Sequence, residues 1–128
     1  MSKKEPKFST LSTRDKALFF VERLADKKAQ DIVAFDLSKE NSLSEATLIA
    51  GATSVRHAQG LADSVLQAAK EARFEFLRME GHTVGQWILL DFNDVIIHIF
   101  HPESRDLFRL DDLWATAPRF ADTRKEQS

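Results

Sequence analysis

Residues 87–100 decide the fold and read Trp-Ile-Leu-Leu-Asp-Phe-Asn-Asp-Val-Ile-Ile-His-Ile-Phe. Two apolar runs, 87–90 and 95–100, flank the four-residue connection Asp-Phe-Asn-Asp. Apolar runs joined by a short connection that contains Asp and Asn are typical of a β-hairpin. Asn93 also tolerates the left-handed backbone conformation that such a connection often needs. We therefore predict an antiparallel hairpin over residues 87–100.

A helix and two buried strands precede this hairpin. Ser12 caps the helix, Asp15 lies at capping-box spacing from it, and an apolar face recurs at helical spacing over residues 13–26. Further along, the runs 32–35 and 47–50 are short, apolar and uninterrupted. Runs of this kind indicate strands that are buried on both faces of a sheet.

A second, longer helix lies between these strands and the hairpin. Thr53 or Ser54 caps it, and its apolar stripe ends near Ala72. Gly60 lies inside this helix, where glycine is unfavourable, so we expect it to mark close packing against the sheet. Residues 74–79 alternate in type and predict a third strand before the hairpin.

Two short segments follow the hairpin. Residues 102–108 begin with proline, which suits the first turn of a short helix, and residues 110–114 continue as a helical or irregular segment. The resulting order, αββαβββ, predicts one α/β domain over residues 12–120, a sandwich of a mixed β-sheet with helices. We expect flexible polar tails at residues 1–11 and 121–128.

The composition excludes several classes of protein. A chain of 128 residues, 43% hydrophobic and 30% charged, fits one folded domain. It has no apolar run long enough to span a membrane, and we expect no secretory signal. With no cysteine there is no disulfide, thiolate metal site or cysteine nucleophile, and we expect a cytoplasmic protein. A net charge of −2 and a pI near 6.1 are a weak basis for binding bare nucleic acid, so a basic protein is the favoured direct partner.

Catalytic and metal-binding patterns are sparse. His98 and His101 have opposite parity on a strand and would point to opposite faces, so we expect no metal site. The chain contains no Gly-x-Ser-x-Gly, no phosphate loop, no dinucleotide fingerprint and no Asp-x-Asp pair for two-metal chemistry. We therefore predict a protein that is not an enzyme and has no cofactor. A nucleotidyltransferase-like enzyme with scattered carboxylates and a generic adapter module are the alternatives.

Aromatic residues in and after the hairpin are the strongest candidates for recognition. Trp87, His98, Phe108 and Trp114 lie among acidic residues of the same segments. Aromatic anchors ringed by charge are typical of protein interfaces, and an acidic rim suits a basic partner. The two tryptophans fit the edge of the core about equally well, so the sequence allows both interpretations.

Four stretches of the chain, in order, resemble the Iojap-like family of ribosomal silencing factors. They are Lys-Ala-Gln-Asp-Ile-Val-Ala-Phe-Asp at 28–36, Gly-Ala-Thr-Ser-Val-Arg-His at 51–57 running into Ala62-Asp63, the hairpin itself, and His-Pro-Glu-Ser-Arg at 101–105 leading to Leu113-Trp114. The chain departs from the family where Asn93 stands in place of a usual glycine and Phe108 in place of a usual tyrosine.

The resemblance implies a nucleotidyltransferase-like fold without the catalytic residues. It also implies binding to the large ribosomal subunit through its fourteenth protein, on the inter-subunit face. Occupying that face would block joining of the small subunit and repress translation under nutrient limitation, and the free protein would form a homodimer. The partner-binding residues that we carry over are Trp87, Asp91, Asp94, His98, Glu103 and Phe108.

Overall fold

The computed structural model describes residues 9–39 and 44–124. The elements in chain order are α1 (Thr13–Asp26), β1 (Gln30–Asp36), β2 (Ala46–Gly51), α2 (Val55–Glu71), β3 (Arg78–Glu80), β4 (Trp87–Asp91), β5 (Val95–Phe100), α3 (Pro102–Phe108), α4 (Leu110–Leu113) and β6 (Arg119–Asp122). Within the described residues, no helix is long and apolar enough to cross a membrane.

The strands form one mixed sheet in the order β3-β4-β5-β2-β1-β6. The β2–β5 pair is parallel and the other neighbours are antiparallel, which confirms the predicted mixed α/β architecture. The predicted hairpin is present as β4 and β5, in a register that pairs Trp87 with Phe100 and Asp91 with Ile96. Asn93 has a φ of 78°, so the turn uses the left-handed conformation expected of it.

The helices α1 and α2 begin at the predicted caps. The Ser12 hydroxyl oxygen accepts a hydrogen bond from the Asp15 amide at 3.1 Å, and the Ser54 oxygen accepts one from the His57 amide at 3.0 Å. Each bond satisfies an amide that the first turn of a helix leaves without a partner. Capping therefore fixes where both helices start.

One face of the sheet forms the main core with α1 and α2. The cluster includes alternate residues of β4 and β5, and Phe20 of α1 stacks on Phe92 of the hairpin with ring centroids 4.7 Å apart. A second cluster lies on the opposite face, where Phe35, Ile49 and Phe100 are buried beneath Ala117 and beside Trp114. The sheet is thus covered on both faces, and the two faces have different neighbours.

The strand predicted over residues 74–79 is wrong for its first part. β3 comprises only Arg78–Glu80. The chain leaves α2 through a left-handed turn at Arg73, with φ of 62°, and residues 74–77 form no strand. Phe74 is buried and makes an edge contact with Phe20 at 5.4 Å, while Phe76 contacts Phe92 at 5.5 Å. The alternation that resembled a strand reflects two phenylalanines directed into the same core.

Two further expectations are corrected. Gly60 does not mark close packing, since a Cβ placed on it would meet nothing within 4 Å. The domain does not end at residue 120, because residues 121 and 122 belong to β6, where Ala121 pairs with Ala34 and Asp122 with Val33. The polar sequence of β6 is consistent with an edge strand, which is why it was missed. Parts of the predicted tails, residues 1–8 and 125–128, lie outside the described residues.

Candidate partner-binding surface

An aromatic cluster covers the sheet face opposite α1 and α2. Trp87 lies at its centre, with ring centroids 5.0 Å from Phe100, 4.7 Å from Phe108 and 5.8 Å from His98. Trp114 closes the cluster on the other side, 6.4 Å from His98 and 5.8 Å from Phe35. We call these six residues the aromatic cluster.

The strands and the two short helices bring these side chains together. Alternation along β4 and β5 directs Trp87, His98 and Phe100 to one face of the sheet. Directly after β5 the chain enters α3, which carries Phe108 back over that face. Arg109 then adopts a left-handed conformation, with φ of 53°, and redirects the chain into α4 so that Trp114 reaches Phe35.

A hydrogen bond to the buried His98 orients Trp87. Its side chain is buried, and its Nδ1 accepts a hydrogen bond from Trp87 Nε1 at 3.0 Å. Burial lowers the pKa of His98 to about 4, so the ring is neutral at pH 7 and its proton is on Nε2. The sequence placed His98 among the partner-binding residues, whereas in the structure it is the acceptor that holds Trp87.

An exposed apolar edge borders the aromatic cluster. Phe108 keeps 48% of its surface exposed although it packs on Trp87, and Leu107 and Leu113 are more exposed still. We call Leu107, Phe108 and Leu113 the exposed edge. Sequence reasoning missed the two leucines, although a signal was present: Leu107 and Phe108 are adjacent in a short helix, so they point in different directions and cannot both be buried by one face. Exposed apolar groups beside a half-buried tryptophan are typical of an interaction surface.

Asp94 lies on the other side of the sheet, apart from the aromatic cluster. Its carboxylate accepts hydrogen bonds from Thr13 Oγ1 at 2.9 Å and from Lys16 Nζ at 3.0 Å, both on α1. The Lys16 side chain is only 10% exposed, so this pair is largely desolvated. The sequence assigned Asp94 to the partner surface. The structure assigns it to joining the hairpin turn to α1.

Asp91 and Glu103 complete the predicted set. Asp91 lies at the turn end of β4, where its Oδ1 accepts a hydrogen bond from the Asn93 amide at 2.9 Å. It is therefore at the far end of the hairpin from Trp87 and has a local turn role. Glu103 is exposed in the first turn of α3. Of the six predicted residues, the structure brings together Trp87, His98 and Phe108, and places Glu103 on the helix that carries Phe108.

Residues 9–39 and 44–124 contain no group of three or more His, Asp or Glu side chains placed to hold a metal ion. A groove of about 770 Å³ lies between α1 and α2, but the charged groups that line it are of both signs, Arg23, Lys27, Asp63 and Glu71. This groove lies among the helices on one side of the sheet, whereas the aromatic cluster lies on the opposite side.

The chain matches known proteins over most of its length. A family model described as "ribosomal silencing factor during starvation" matches residues 10–128. The chain is 38% identical over 102 residues to the ribosomal silencing factor of Chromobacterium violaceum, covering 79% of this chain and 84% of that protein. It is 31% identical over 108 residues to that of Halalkalibacterium halodurans, covering 84% and 92%.

Two further matches concern structure and a more distant relative. A crystal structure of a Chromobacterium violaceum protein superposes with a TM-score of 0.79 at 31% identity, covering 92% of each chain. A mouse protein named "mitochondrial assembly of ribosomal large subunit protein 1" is 26% identical over 97 residues, which is 73% of this chain and 42% of the mouse protein.

Proposed function

The chain belongs to the family of ribosomal silencing factors, and on that premise we propose that it binds the large ribosomal subunit on its inter-subunit face. By occupying that face it sterically prevents the small subunit from joining and represses translation under nutrient limitation. The activity requires affinity and position rather than a chemical step. Its site of action is the cytoplasm, where ribosomes assemble.

The observation that carries this proposal is the aromatic cluster with its exposed edge. Trp87 is half-buried, oriented by His98, and packed on a Phe108 ring that remains 48% exposed. Rigid aromatic anchors of this kind contribute most of the binding energy in protein interfaces. We propose that Trp87, Phe108 and the two leucines of the exposed edge contact a protein on the large subunit.

The partner that we propose is the fourteenth protein of the large subunit. The family resemblance implies it, and the name of the mouse relative associates that protein with the large subunit of the mitochondrial ribosome. The net charge of −2 favours a basic protein over bare RNA as the direct contact. Exposed Glu103, in the first turn of α3, would face basic side chains at the rim.

We further propose that the free protein is a homodimer that buries the same face. An apolar edge adjoining two tryptophans is unfavourable in water, and a second copy would cover it in a self-complementary interface. Dimer formation and ribosome binding would then exclude each other. No step in this account uses catalysis, a metal ion or a cofactor.

Binding to separated ribosomal subunits tests the proposal. Phe108→Ala should weaken binding to the large subunit by about tenfold or more, as expected for an anchor residue. Leu77→Ala is the matched control. Leu77 has nearly the same exposed fraction as Phe108, 52% against 48%, but it lies outside the aromatic cluster. Equal affinity of both variants, with the fold of each intact, would contradict the proposed surface.

A further inference from the structure

A buried ion pair ties the two helices that carry the exposed edge. Arg105 of α3 donates from Nε to Asp111 Oδ2 at 3.0 Å and from Nη2 to Asp111 Oδ1 at 2.9 Å. The two side chains are only 13% and 18% exposed. A two-point contact between the planar guanidinium and a carboxylate fixes the relative orientation of its partners as well as their separation.

This ion pair spans the point where the chain turns between the helices. Arg109, with φ of 53°, separates α3 from α4 and is the residue on which their relative angle depends. A non-glycine residue in this conformation persists only when its surroundings enforce it. Arg105 precedes Arg109 in the sequence and Asp111 follows it, so their ion pair bridges the turn and holds α3 and α4 at a fixed angle.

The same ion pair reaches the sheet on one side and the segment after β6 on the other. The remaining terminal nitrogen of Arg105, Nη1, is buried near Gly51, 3.5 Å from where a Cβ would stand, and has no hydrogen-bond partner among the described residues. Arg124 approaches Asp111 at 3.5 Å, but its main partner is Asp122 at 2.7 Å, and this hydrogen bond lowers the pKa of Asp122. Asp111 is therefore the central acceptor for arginines from two segments.

From this geometry we infer that Arg105 and Asp111 are positioning residues for the partner-binding surface. They touch no partner themselves. They set the angle between α3 and α4, and through it the placement of Phe108 against Trp87 and of Leu113 beside Trp114. The inference rests on the proposed function, because the surface that they position is the one proposed to bind the large subunit.

Asp111→Asn tests the inference, and Asp112→Asn is its matched control. Asp112 is the next residue of α4 and carries the same charge, but it is 61% exposed and pairs at 2.7 Å with Arg109, itself 71% exposed. Neutralising Asp111 removes a desolvated counter-ion and should weaken binding to purified large subunits by about tenfold. Neutralising Asp112 removes a solvent-exposed pair and should leave the affinity within about twofold.

A double-mutant cycle separates positioning from general destabilisation. If Asp111 acts through Phe108, combining Asp111→Asn with Phe108→Ala should weaken binding little more than Phe108→Ala alone. Full additivity of the two losses would overturn the inference, as would an affinity of Asp111→Asn equal to that of Asp112→Asn. Arg105→Lys keeps the charge but loses the planar fork, and it should lose binding as Asp111→Asn does. If Asp111→Asn fails to fold, Arg105→Lys replaces it in the same binding measurement.

Amide hydrogen exchange supplies a readout that needs no ribosome. In Asp111→Asn, the amides of Asp112 and Ala115, which bond across the α4 turn, should exchange at least about tenfold faster, while those of β4 and β5 stay protected. Unchanged exchange in α4 would overturn the inference. If the wild-type chain fails to bind the large subunit, the proposed function is wrong. The exchange measurement then still shows whether Asp111 holds α4 in place.

Discussion

His98 and Asp94 show how much a residue's role depends on neighbours that are distant in sequence. Both belong to the hairpin on which the fold prediction rested, and both were assigned to the partner surface. His98 is instead buried behind Trp87, and Asp94 is bonded to Lys16 of α1, 78 residues away in sequence. Parity along a strand predicts which face a side chain occupies, but not what packs over that face. Trp87 and Phe108 keep part of their surface exposed, and their assignment to the partner surface stays a prediction.

The burial of His98 predicts a dependence of stability on pH. The pKa of His98 is about 4 in the folded chain and near 6.5 when the chain is unfolded, so between these values the unfolded state binds more protons. Its contribution to stability is complete above about pH 7 and is lost as the pH falls toward 4. Between pH 7 and pH 5 the free energy of unfolding should fall by about 2 kcal/mol through this group alone.

Urea unfolding of the wild type and of His98→Gln at pH 7, 6 and 5 measures this contribution. Glutamine keeps an acceptor for Trp87 but does not titrate, so the variant should lose about 2 kcal/mol less than the wild type over this range. The other histidines are common to both chains and cancel in the comparison. Parallel curves for the two proteins would show that His98 does not titrate as its burial requires.

Asp94 should matter for stability rather than for binding. Asp94→Asn leaves the Lys16 ammonium, 10% exposed, without its counter-ion, and should lower the free energy of unfolding by roughly 2–3 kcal/mol. Asp91→Asn is the comparison: its partner Arg78 is 3.8 Å away and 57% exposed, so the change should be below about 1 kcal/mol. Denaturant midpoints give both values. Equal destabilisation would mean that the contact of Asp94 with α1 is unimportant.

At the scale of elements, the sequence predicted best those elements that follow one simple period. The helix over residues 13–26 has the predicted bounds, and the hairpin has the predicted turn. β6 was missed because its four residues, Arg-Phe-Ala-Asp, are an edge strand defined only by pairing with β1. Residues 74–77 were assigned wrongly because two phenylalanines that fill a core have the same spacing as one face of a strand. Contacts between residues distant in sequence, which no local period encodes, decided both cases: strand pairing for β6 and core packing for residues 74–77.

Two glycines, one in α2 and one in the loop before β4, should respond oppositely to a methyl group. Gly60 lies in α2 with open space where a Cβ would stand, so Gly60→Ala should stabilise the chain by roughly 0.5–1 kcal/mol through helix propensity. Gly85 has φ of 75°, and a Cβ there would lie 2.5 Å from Val55 Cγ1, so Gly85→Ala should destabilise by at least about 1 kcal/mol. Thermal unfolding ranks the two variants, and the reverse order would refute the described packing of both.

At the scale of the whole molecule, the two faces of the sheet differ in how thickly they are covered. One face, with α1 and α2, contains most of the buried core, and the other is covered only by two short helices and the segment before β6. The thinner cover is what leaves Phe108, Leu107 and Leu113 exposed. The family could be recognised from four motifs, whereas the ion pair between Arg105 and Asp111 could not be anticipated, because a six-residue spacing predicts no bond across an irregular turn.

Joining of the two ribosomal subunits is the step that the protein is proposed to block, and it can be measured directly. Separated large and small subunits are mixed after preincubation of the large subunit with the purified protein, and the joined ribosome is resolved on a density gradient. We expect the wild-type chain to travel with the large subunit and to reduce joining in proportion to occupancy, Leu77→Ala to match it, and Phe108→Ala to restore joining at the same concentration. Undiminished joining while the wild-type chain saturates the large subunit, or no binding to that subunit at low and moderate salt, would contradict the account.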